Sequence, residues 1–172
     1  GTLADSMPLH YRAWSHAWKK HGAAFEFGWS TFYSLAGVGL QDTVLIMNER
    51  HGLNLDPVEV VRSQMLYMDE HHHELEPIHE VLEYAREISR TKPASVASGG
   101  TRVHVHETLR IIGAAALFPV VVTQEDVTRS KPEPDLFLLA AEKMGVAPRD
   151  CLVFEDSKLG IEAANRAGMS SA

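Results

Sequence analysis

The sequence is poor in three features, and each absence removes a class of function. Among 172 residues there is a single cysteine, Cys151. An internal disulfide is therefore excluded, and the chain fits a reducing, cytoplasmic compartment. No run of Lys and Arg forms a basic stripe, and the formal charge is -7, so nucleic acid is not an expected partner. Long apolar runs are missing too. The stretch from Ile111 to Val122 is broken by Gly113 and Pro119 and falls short of a bilayer, so no membrane partner is expected. No signal peptide is expected, and the residues show no internal repeat and no low-complexity segment. The chain opens on Gly1 rather than Met and stops at Ala172, soon after a helix-like run and with no strand expected behind it. These ends read as a fragment, with proteolytic maturation as the alternative.

What is present is 45% hydrophobic, enough for a core in one domain or in one domain carrying an insertion. From Pro8 to His79 the period is helical throughout. Ser6 and Pro8 open a helix in which Leu9, Ala13, Trp14, Ala17 and Trp18 recur at helical spacing, and His21-Gly22 ends it. Further helices are predicted near Thr31, over Leu40 to His51, and after Asp56-Pro57. Beyond Glu76-Pro77 the pattern changes to an amphipathic helix around Val81 to Ile88, followed by short apolar strands alternating with helices. The strands are Ala94 to Ala97, Val120 to Val122 and Cys151 to Phe154. That alternation is the mark of a parallel α/β sheet.

Three polar clusters follow predicted strands, where open parallel sheets bind ligands. The first is Ser98-Gly99-Gly100, a hydroxyl and glycines opening a helix, suited to an anion; an ordinary turn with Ser as cap is the competing reading and the stronger one when the cluster is taken alone. The second is Ser130-Lys131-Pro132-Glu133-Pro134. Its prolines are expected to hold the loop extended and to point Lys131, a compact cation suited to phosphate, from a stiff backbone; a solvated lysine is the even alternative. The third is Glu155-Asp156-Ser157. Adjacent carboxylates repel and call for a divalent cation, and hard oxygen donors favour Mg2+ or calcium over zinc; a helix N-terminus lined with acids is the competing reading.

In this order, Ser98, then Lys131-Pro-x-Pro, then Glu155-Asp156-Ser157 followed by Gly160-Ile161 and Ala163-Ala164, the motifs resemble the haloacid dehalogenase superfamily. The opening Gly1-Thr2-Leu3-Ala4-Asp5-Ser6 resembles the tail of that family's first motif, Asp-x-Asp-Gly-Thr-x-x-Asp-Ser. The resemblance covers Gly1 to Met169 and points to the β-phosphoglucomutase-like and sugar-phosphate phosphatase group. It implies an α/β, Rossmann-like core with a parallel sheet and an inserted helical cap. The division is expected at residues 1–7 for the motif remnant, 8–78 for the cap and 79–172 for the core.

The resemblance also implies a mechanism. The family's first motif aspartate forms an aspartyl-phosphate, and the second protonates the leaving group and activates water. Ser98, with Gly99 beside it, would bind phosphoryl oxygens, Lys131 would pair with nucleophile and phosphate, and Glu155 and Asp156 would hold Mg2+, with Ser157 supporting them. Both catalytic aspartates would lie upstream of Gly1. The chain is thus expected to be cut within the first motif, to lack its first core strand, and to be inactive until about ten upstream residues restore it. His10 aligns with a histidine near the site; a residue of the cap-helix interface is the equal alternative. Gly37, in the loop Leu35 to Leu40, would contact substrate. Ala36 and Leu40 stand where the mutase carries cations for a second phosphate. The implied activity is hydrolysis of a small phosphorylated metabolite, a sugar phosphate, ahead of a phosphomutase or a non-catalytic relative. A dehalogenase is disfavoured, and a monomer or weak dimer is expected.

Other features carry plainer readings. Consecutive helical residues point about 100° apart, so His71-His72-His73 cannot converge on one ion and reads as a solvated helix end. Trp14, Trp18 and Trp29 read as cap core, and Cys151 as inert strand packing.

Overall fold

The computed structural model describes residues 1–36 and 38–172. Two units build it. One comprises Ser6–Glu74, the other Gly1–Asp5 together with Leu75–Ala172. The boundaries expected after residues 7 and 78 thus fall after Asp5 and Glu74.

The first unit is helical. Helix α1 (Met7–Lys20) buries Leu9, Ala13, Trp14, Ala17 and Trp18 on one stripe, as its apolar period requires. Ser6 precedes it without accepting a side-chain cap bond, and the proline near its first turn marks the start instead. Helix α2 (Trp29–Ser34) is short. Helix α3 (Leu40–His51) ends where Gly52 turns left-handed at φ 62°, a conformation that favours glycine. Helix α4 (Pro57–His71) is opened by Asp56, whose carboxylate accepts from the Val58 N–H. The unit's core joins Trp14, Trp18, Phe32, Val44, Met47 and Val60. Trp29 differs from expectation: it is 43% exposed, with its ring stacked on Tyr11 at 4.2 Å. His72 differs as well. It is buried at 6% exposure rather than solvated.

The second unit is α/β. Its helices are α5 (His79–Ile88), α6 (Arg102–Ile111), α7 (Asp135–Met144) and α8 (Lys158–Arg166); its strands are β1 (Ser95–Ala97), β2 (Val120–Val122), β3 (Leu152–Val153) and β4 (Ser170–Ser171). The strands pair in parallel, β1 with β2 and β3 with β4. Strand β4 corrects the expectation that nothing strand-like follows the last helix. Its pairing partner supplies what two serines lack in intrinsic β preference. The opening residues are also more than a loose loop. Ala4 bridges Pro77, Leu3 accepts from the Ile78 N–H at 2.9 Å, and Ala4 joins Leu82, Val105 and Leu109 in an apolar cluster. A second cluster, Phe137, Ala141, Val153, Ala163 and Ala164, fastens α7 and α8 to β3.

Candidate active site

The carboxyl ends of β1 and β3 carry the polar groups. Ser98 follows β1, its N–H still bonded to the Val122 carbonyl at 2.9 Å. The Ser98 hydroxyl accepts from the Gly100 N–H at 3.1 Å, a local serine turn that leaves its O–H free to donate. Gly99 lies beside the Lys131 loop: a Cβ there would sit 3.6 Å from the Ser130 hydroxyl. The first glycine loop and the lysine loop are therefore neighbours.

The lysine loop is not extended as its prolines suggested. The Glu133 N–H reaches back to the Ser130 carbonyl at 3.0 Å and closes a turn around the Lys131-Pro132 peptide, which is cis. From this turn Lys131 passes over the Phe137 ring, 4.9 Å from its centroid. Its ammonium meets Glu155 Oε2 at 2.6 Å, with the two side chains only 17% and 8% exposed. The other Glu155 oxygen accepts from the Ser157 N–H at 3.1 Å and the Ser157 hydroxyl at 2.7 Å. Ser157 Oγ in turn caps α8 by accepting from the Gly160 N–H at 3.0 Å.

The two adjacent carboxylates thus have different surroundings. Glu155 is committed to Lys131 and Ser157. Asp156 is 44% exposed; its Oδ1 accepts from the Thr2 hydroxyl at 2.9 Å and lies 3.9 Å from the Gly1 ammonium. Among the described residues no group of three His, Cys, Asp or Glu side chains forms a metal cage. Magnesium does not need one: it keeps several waters and takes one or two carboxylates plus substrate phosphate, a requirement that Asp156 fits.

Sequence reasoning missed several members of this neighbourhood. From the sequence, Thr2 is only motif tail and Gly160 only part of a motif. The N-terminus of α6 is another case. Its first N–H already holds a carboxylate: both Glu125 oxygens accept from the Arg102 N–H at 3.0 Å. Next to it, the Thr123 N–H and hydroxyl, at 2.8 and 2.9 Å, bond Asp126. Together with the Arg102 guanidinium they hold its carboxyl down from the usual 3.8 to about 2. A lowered carboxyl stabilises the fold fully above its ordinary range, and that stabilisation is lost as pH falls through the folded value. Asp126→Asn is therefore expected to lower the thermal midpoint at pH 5, with the gap to the unaltered protein closing as the pH drops from about 4 to about 2. Midpoints measured across that range check this; a gap that persists at pH 2 would contradict it.

Of the remaining residues, His10 stands on α1 in the helical unit, and Gly37 lies outside the described residues. Tyr67 stacks on His71 at 4.0 Å. Burial raises the Cys151 thiol above its usual range, in keeping with inert packing.

The model of the family described as haloacid dehalogenase-like hydrolase matches residues 1–172. The chain belongs to the haloacid dehalogenase-like hydrolases. The fructose-1-phosphate phosphatase of Escherichia coli is 30% identical over 99% of this chain and 90% of its own length. Hexitol phosphatase A of the same organism is 28% identical over 98% of this chain and 76% of its own. Among solved structures, a conserved haloacid dehalogenase-like protein of Agrobacterium tumefaciens superposes with a TM-score of 0.83 at 26% identity, covering 98% of this chain and 76% of that one. For this haloacid dehalogenase-like hydrolase, an α/β unit with a helical cap is the family arrangement. The match runs through the opening residues with no sign of a cut within the first motif. This match over residues 1–172 corrects two expectations, the truncation and the absent first core strand. The expectation of an inactive chain rested on the truncation and draws no support from the match. No helix among the described residues is long and apolar enough to cross a membrane.

Proposed function

We propose that the α/β unit gathers around the phosphoryl group of a small phosphate monoester, a sugar or sugar-alcohol phosphate, and that the protein hydrolyses it with Mg2+. The observation that carries this reading is the enclosed Lys131–Glu155 pair, with Asp156 exposed beside it and the Ser98-Gly99 turn next to the lysine loop. A fixed ammonium and a hydroxyl donor suit phosphoryl oxygens, and preorganised charge is worth most where water is scarce. Asp156 would hold the metal, which when bound neutralises charge on the transferring group. Glu155 orients Lys131, and Ser98 donates to a phosphoryl oxygen. In the route implied by the family resemblance, a first-motif aspartate would attack phosphorus as the ester P–O bond breaks, the alcohol would leave with a proton from the motif's second aspartate, and water would then release phosphate from the aspartyl-phosphate and regenerate the carboxylate. Lys131, Ser98 and Asp156 serve that passage by binding and orientation, and none of them is the attacking group. The activities named for the two Escherichia coli relatives, on fructose 1-phosphate and hexitol phosphates, support the substrate class.

The test is phosphate release from p-nitrophenyl phosphate, fructose 1-phosphate and hexitol phosphates, with Mg2+ and with chelator. Release is expected only with the metal, and Lys131→Met, which keeps the bulk of the stem, is expected to lower it by about 100-fold or more. Release indifferent to chelator, or unchanged in Lys131→Met, would sink the reading.

A further inference from the structure

Glu133 and Arg166 lie outside the groups just described, yet they close a circuit with them. The Arg166 guanidinium, in the last turn of α8, donates to Glu133 Oε1 at 2.6 Å. The other Glu133 oxygen lies 3.6 Å from Arg129, itself held by paired bonds to Asp135 at 2.8 and 3.1 Å. Glu133 stands two positions after Lys131 across Pro132, whose ring fixes φ, so a displacement of Glu133 carries to Lys131 with little room to be absorbed. At the other end of α8, Ser157 caps the helix and bonds Glu155, which binds Lys131. The lysine turn therefore meets α8 at two points, one at each end of the helix.

Stability alone does not explain the outer contact. Arg166 and Glu133 are 43% and 36% exposed, and exposed pairs contribute little to folding. The packing of α7 on α8 through Phe137, Ala141, Ala163 and Ala164 already joins the helices. Phe137 lies under Lys131 at the base of the turn, and the Glu133–Arg166 contact adds a second polar tie to α8 beside the Lys131–Glu155 bond, so that its removal leaves that bond alone to hold the turn to the helix. We infer that Glu133 and Arg166 are positioning residues, which hold the lysine turn against α8 and so aim the Lys131 ammonium at the phosphoryl group. This rests on the phosphatase reading above.

The test is Arg166→Gln, with Glu133→Gln, the double variant and Arg166→Lys beside it. Turnover of p-nitrophenyl phosphate under saturating Mg2+ and hydrogen exchange at the Glu133 amide are both followed. In Arg166→Gln, kcat is expected to fall about 10-fold with KM within about two-fold, because misplacement of a reacting group costs turnover. The amide is expected to exchange about 10-fold faster. The double variant should be no worse than either single one, and Arg166→Lys should recover most of kcat. Arg86→Gln, which breaks the separate surface pair with Glu83, should leave kcat unchanged. An unchanged kcat in Arg166→Gln, with or without a faster amide, overturns the inference, as do losses that simply add. If the unaltered protein releases no phosphate, the phosphatase reading fails and the amide alone decides: faster exchange supports the positioning, and unchanged exchange overturns it.

Discussion

Gly160→Ala is expected to lower both the stability of the protein and its phosphate release, against the ordinary trend for this substitution. Gly160 lies inside α8, where alanine is favoured over glycine by roughly 0.5–1 kcal/mol. On backbone grounds the variant should be the more stable protein. The Glu155 side chain reverses the sign. A Cβ on Gly160 would overlap Glu155 Cδ and Cγ. Glu155 cannot retreat and keep its partners, because one oxygen is on Lys131 at 2.6 Å and the other on Ser157. The methyl group therefore displaces the carboxylate that orients Lys131. Phosphate release is expected to drop by about 100-fold, the order found when one preorganised charge contact is lost, and the denaturant midpoint to fall rather than rise. A variant that is more stable and equally active would show that Glu155 has another place to go. Gly160→Ser should behave like the alanine variant, since the obstacle is the Cβ and not the polarity of the side chain.

The same residues show what a sequence can disclose and what it withholds. Helix α3 was legible at both ends, Leu40 and His51, because Gly52 stops it by a local backbone rule, and the start of α4 was legible from Asp56-Pro57 for a similar reason. Strand β4 was not legible: Ser170 and Ser171 carry no strand signal of their own, and the pairing with Leu152 and Val153 makes them a strand. In the candidate site, Ser98, Glu155 and Asp156 stood out because they follow strands, and Lys131 because of the prolines after it. The bond between Lys131 and Glu155 did not: it spans 24 positions, beyond any helical or strand period. Arg166 was hidden for the same reason, 33 positions from Glu133. His72 resembled its solvated neighbours until the helix end turned it inward.

The Lys131–Glu155 pair also separates what the fold needs from what the chemistry needs. Glu155→Gln leaves a lysine that is 17% exposed facing a neutral amide. Breaking an enclosed pair from one side costs about 3–5 kcal/mol, because the remaining charge is uncompensated; the residual exposure of Lys131 places the expected loss near 3 kcal/mol. Lys131→Met should cost a similar amount by stranding Glu155, though the two Ser157 donors soften it. Combining both changes removes both charges, so no uncompensated charge is left in the enclosed site. The double variant is therefore expected to recover about 2 kcal/mol or more relative to the sum of the single losses, measured by urea unfolding as a coupling energy. Phosphate release should not recover with it, since neither the ammonium nor its orienting carboxylate is restored. Stability that returns without activity assigns the pair to the reaction rather than to the architecture. Losses that add with no coupling would mean that Lys131 and Glu155 do not share a bond in solution, and the geometry at the carboxyl end of β3 would then lose its central contact.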